Sequence, residues 1–81
     1  MADPKDVEAT KIVRREFNKR QIDTSLTDIR VSHGVVYIRG SIRPMRNAPY
    51  ADVRHEVDII ARALRTRPEI RDVVIDAIFR T

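Results

Sequence analysis

Apolar residues recur at Ala9, Ile12, Val13 and Phe17 inside an otherwise polar stretch, the three- and four-residue spacing of a single helical stripe. Asp3-Pro4-Lys5-Asp6 supplies the start, with Asp3 as N-cap, Pro4 at the first helical position and Asp6 as a capping-box acid. Lys19 and Arg20 complement the negative end of the helix dipole. The pattern predicts a helix over residues 4–20, and the polar run 21–26 reads as a connection.

The period then changes from helical to alternating. Asp28-Ile29-Arg30-Val31-Ser32 and Val35-Val36-Tyr37-Ile38-Arg39-Gly40-Ser41-Ile42 read as two strands separated by His33-Gly34. A two-residue turn of this kind needs positive φ at both positions, which glycine adopts freely and histidine tolerates. It predicts a hairpin over residues 27–43 that sets Val31 opposite Val36, Ile29 opposite Ile38, Arg30 opposite Tyr37 and Asp28 opposite Arg39. Turn chemistry and alternation agree independently on this register. Gly34 and Gly40 are the chain's only glycines. The first supplies the turn, and the second lies on the helix-facing side, where it admits a helix or a bulge.

Residues 43–49, "RPMRNAP", form a loop, and Pro49 is expected to open a second helix over 49–66. Val53, Val57, Ile60, Ala61 and Leu64 mark its buried face, with Arg54, Asp58 and Arg62 as an outer row of charge pairs. Pro68 ends it, and Val73 to Phe79 read as a closing strand over 72–79. The order α-β-β-α-β within one domain, residues 1–81, predicts an α+β fold with two helices on one face of a three-stranded mixed sheet. The opposite face then carries Arg30, Val35, Tyr37, Arg39, Arg43, Val74 and Ile78, an apolar stripe ringed by arginines, with Arg46 on the adjoining loop and Arg30 stacked on Tyr37.

Composition changes this picture little. A net charge of +4 comes from sixteen basic and twelve acidic residues spread along the chain, with no basic block. There is no cysteine, so no disulfide framework or thiolate metal site. His33 and His55 lack metal-ligand spacing, the serines have no base beside them in sequence, and Glu56 and Asp58 fall on different faces of a helix. No catalytic residue, metal site or cofactor is expected, and the glycine spacing fits neither a phosphate loop nor a dinucleotide fingerprint. Nucleic-acid binding is the weakest reading, with no GXXG loop and Tyr37 alone as an aromatic on the open sheet face. The polar N-terminus has no signal-peptide core and no run spans a bilayer. The expected location is therefore cytoplasmic as written, and periplasmic or envelope for an excised domain.

From Ile29 onward the chain resembles the BON domain (bacterial OsmY and nodulation). The segment "IRVSHGVVYIRGSI" is similar to that family's strand, turn glycine, apolar-x-apolar pair and second glycine, at Gly34, Val36, Ile38, Gly40 and Ile42. "VDIIARAL" resembles its helix at Ile60, Ala61 and Leu64, and "EIRDVVIDAI" its closing strand at Ile70 and Val73. Glu69 and Ile75 stand where the family usually has glycine and asparagine. The resemblance implies a non-catalytic binding module, often found in envelope proteins, that adheres to phospholipid surfaces or protein partners. Two alternatives stand beside adhesion to an anionic phospholipid or protein surface. One is self-association into a dimer, ring or filament through the open sheet face or the edge of the closing strand. The other is weak nucleic-acid binding.

Overall fold

The computed structural model describes residues Asp3 to Arg80. Helix α1 spans Pro4–Lys19 and turns Ala9, Ile12, Val13 and Phe17 into the core, the stripe read from sequence. Asp3 caps it by accepting the Lys5 N–H at 2.9 Å. Asp6 is not a capping-box acid. Its two carboxylate oxygens accept the backbone N–H groups of His33 and Gly34, each at 3.2 Å.

The sheet has one strand more than expected. Within 21–26, Ile22–Asp23 forms a short strand β1, with Ile22 fully buried. One isoleucine among polar residues gives no period to read, yet its burial anchors the segment. β2 (Thr27–Ser32) and β3 (Val35–Pro44) form the hairpin, and every expected cross-strand pair is present. His33 and Gly34 take φ of 50° and 81°, as the two-residue turn demands.

Of the two roles expected for Gly40, it serves the second, since it makes room for a bulge, which lies on the strand facing β3. Asp23 pairs with Arg43 and Asp28 with Arg39, so five steps along β1 and β2 match four along β3. The surplus residue lies in the Thr24–Leu26 segment, which bulges toward β3 and not toward a helix. There the Ser41 N–H donates to the Leu26 carbonyl at 2.9 Å. A Cβ on Gly40, whose φ is 95°, would stand 2.5 Å from that same carbonyl oxygen. The Thr27 hydroxyl completes the join by donating to the Ser41 carbonyl at 2.6 Å.

Helix α2 spans Val53–Leu64 and begins later than Pro49. Asp52 caps it, accepting from the N–H groups of Arg54 and His55. The residues before it are held elsewhere, since the Tyr50 hydroxyl donates to the Gln21 carbonyl at 2.8 Å. A side-chain cap that satisfies two orphan amides outweighs the conformational preference of one proline. β4 (Asp72–Phe79) has the expected bounds and runs parallel to β3. The sheet is thus mixed, with β3 central, β4 on one side, and β2 with β1 on the other. Both helical stripes meet Ile29, Val36, Ile38, Ile42 and Val73 in one core.

Candidate functional site

Residues that alternate with this core line the uncovered face of the sheet. Register places Arg30, Tyr37 and Val74 in one row across three strands, Asp28, Arg39 and Asp76 in the next, and Ser41 beside Ile78 beyond it. Val35 and Tyr37 are half-buried, while Val74 is 40% and Ile78 61% exposed. Of the expected stripe, Val35, Tyr37 and Val74 lie in adjacent rows, and the charged row of Asp28, Arg39 and Asp76 separates them from Ile78. Arg30, Arg39 and Arg43 border these side chains. Arg46 sits beyond the end of β3, exposed and in a turn, with no ion pair among the described residues.

The arginines are less available than their number suggests. Arg30 Nε lies 3.1 Å from Asp28 Oδ2, and Arg43 Nε lies 2.7 Å from Asp23 Oδ2. Arg30 therefore does not stack on Tyr37. That place belongs to Arg39, whose guanidinium carbon is 6.0 Å from the ring centroid. Asp28 and Asp23 thus pair with Arg30 and Arg43, Asp76 lies beside Arg39 in register, and Asp72 pairs with Arg65. The Ser25 N–H and hydroxyl, followed by Arg43, hold the Asp23 carboxyl down at about 2. The Val73 N–H and then Arg65 hold Asp72 below the ordinary range.

A second feature lies on the other side of β4. Ile75 and Phe79 line an open groove of about 490 Å³ against Asp52, Arg54, His55, Val57 and Asp58 of the α2 region. The Arg54 guanidinium carbon stands 4.4 Å from the Phe79 ring centroid, so Arg54 does not belong to the outer charge row. Only Asp58 and Arg62 pair there, at 3.0 Å. The groove escaped sequence reading because it joins two segments that are far apart in the chain, the start of α2 and the end of β4. An arginine at a helix start and an aromatic at a strand end were the available signals.

His33 lies in the hairpin turn and His55 is exposed on α2. Among the described residues no cluster of three or more His, Cys, Asp or Glu gathers as a metal site, and no helix is long and apolar enough to cross a membrane. A scan against protein-family models, a search of curated proteins and a search of solved structures each return no match.

Proposed function

We propose that the protein is a non-catalytic binding module of BON type that docks a protein surface through its open sheet face. The observation that carries this reading is the pairing of arginines with carboxylates around the apolar side chains of the open face. Val35, Tyr37, Val74 and Ile78 offer area that water solvates poorly, and the bordering arginines are matched by sheet carboxylates. An anionic bilayer is best held by unpaired cations, each adding to a screened attraction. A protein interface instead favours an apolar centre with a mixed, geometrically specific polar rim. Arg39 stacked beside Tyr37 suits such a centre, since both residue types are enriched at interfaces.

Two measurements test this. Co-sedimentation with anionic and with zwitterionic vesicles is expected to leave the protein in solution in both cases. Salt-sensitive retention on anionic vesicles alone, lost on Arg39→Glu, would transfer the reading to phospholipid. A photo-crosslinking side chain at position 74 is expected to give a discrete protein adduct in the native extract, and one at the exposed α1 position 15 none. Identical adducts from both positions would remove the open face from consideration.

A further inference from the structure

The edge of β4 is unfinished. The Arg80 N–H donates to the Ile42 carbonyl at 2.7 Å, so even-numbered residues here turn their backbone toward β3. Odd-numbered residues turn theirs outward. At Val73 both outward groups are satisfied internally. The N–H meets Asp72 Oδ1 at 2.8 Å and the carbonyl meets Arg65 Nη2 at 3.0 Å. From Ile75 to Phe79 no such clamp exists among the described residues. That stretch also lacks the lysines, prolines or bulges that usually blunt a free edge.

The helix-facing side of β4 is incomplete over the same stretch. Val73 is 4% exposed, whereas Ile75, Ala77 and Phe79 are only half-buried, and Ile75 and Phe79 border the groove beside α2. Arg54 lies over Phe79 and Arg65 reaches Val73, so α2 runs antiparallel to β4.

We infer that a second copy of this chain occupies the edge, its β4 antiparallel to the first about a two-fold axis at Ala77. Outward groups can pair only with outward groups. Centring on residue 75 or 76 would enlist Val73, which is already clamped. Centring on Ala77 uses only Ile75, Ala77 and Phe79, the groups left free. Ile75 then lies opposite Phe79 of the partner subunit and Ala77 opposite Ala77 of the partner subunit, apolar against apolar on the side where cover is missing. On the open face Asp76 has Arg80 of the partner subunit on one diagonal and Asp76 of the partner subunit on the other, so charge there leaves the register to the hydrogen bonds and the apolar pairs. The axis closes the pair and consumes the free segment, so a dimer forms and not a filament.

Sedimentation equilibrium of the whole protein tests this. At about 0.1 mM, where a micromolar dimer is nearly complete, the expected mass is twice the 9.4 kDa of one chain. Ala77→Pro removes an outward N–H and no bond to β3, and should yield a monomer with unchanged circular dichroism. Should that variant fail to fold, position 78 decides, because Ile78 lies directly opposite Asp76 of the partner subunit. Ile78→Lys is expected to dimerise about tenfold more tightly than Ile78→Asp, two cross-strand charge pairs changing sign together. A partner on the open face would lose from either charge, which separates the two readings. A monomeric wild type, an assembly larger than two, or indifference to the sign at position 78 would each overturn the inference.

Discussion

The carboxylate of Asp6 grips the turn at Gly34 from the first turn of α1, accepting its N–H at 3.2 Å and that of His33 at the same distance. Twenty-eight residues of chain separate Asp6 from Gly34, so this bond fixes the angle between helix and hairpin. It also satisfies two turn amides that point away from the ladder.

Asp6→Ala should therefore destabilise the fold by about 1–2 kcal/mol, the usual worth of charge-assisted bonds to backbone. Asp6→Asn retains one acceptor oxygen and should lose about half as much. Urea denaturation monitored by circular dichroism measures both. Equal loss from the two variants would show that charge and not geometry is what matters at this site.

The two glycines should respond unequally to alanine. At Gly34 a Cβ would meet Arg71 Cγ at 3.0 Å and the Glu69 carbonyl oxygen at 3.3 Å, which small shifts relieve, and the main cost is a left-handed backbone, about 1–2 kcal/mol. At Gly40 the obstacle is the Leu26 carbonyl at 2.5 Å, which is itself tied to Ser41. Gly40→Ala should cost about 3 kcal/mol or more, by adding displaced backbone to the same conformational strain. Comparing the two midpoints in urea checks the order.

The hairpin was legible because two signals coincide in it: a turn that fixes register and an alternation that requires it. The bounds of β4 and the stripe of α1 were equally readable, since each is a periodic run closed by recognisable ends. β1 was not, because a strand of two residues has no period and Ile22 is buried only by what folds around it. The later start of α2 depends on Tyr50 reaching Gln21, a contact across the fold. The open face was legible in its membership but not in its charge. Arg43 reads as a free cation until β1 brings Asp23 to 2.7 Å, so missing the strand meant missing the neutralisation.

That ion pair has a pH signature. In the fold Asp23 titrates at about 2, down from 3.8, chiefly through the Ser25 N–H, then the Ser25 hydroxyl and Arg43. A depressed carboxylate lends stability that is complete above its unfolded pKa and is lost as pH falls through the folded one. Acid titration of the wild type should thus show a stability loss from Asp23 between about pH 4 and pH 2. Asp23→Asn should flatten that part of the profile while lowering stability at neutral pH. Carboxyl NMR shifts offer a direct check, with the Asp23 midpoint expected near 2.

Arg54 and Phe79 make the last prediction, since their stacking closes one end of the α2–β4 groove at 4.4 Å. A guanidinium over an exposed aromatic face is worth about 0.5–1 kcal/mol. Arg54→Gln keeps a methylene stem with a polar head and loses the cation, so it should lower stability by about that amount when Phe79 is present. In a Phe79→Leu background the same substitution should cost almost nothing, because leucine has no face to stack on. The difference between the two costs is the coupling energy of a double-mutant cycle, readable from thermal or urea unfolding of four proteins. A coupling indistinguishable from zero would mean that Arg54 merely lies over the ring, and that the groove owes its shape to the helix start capped by Asp52 alone.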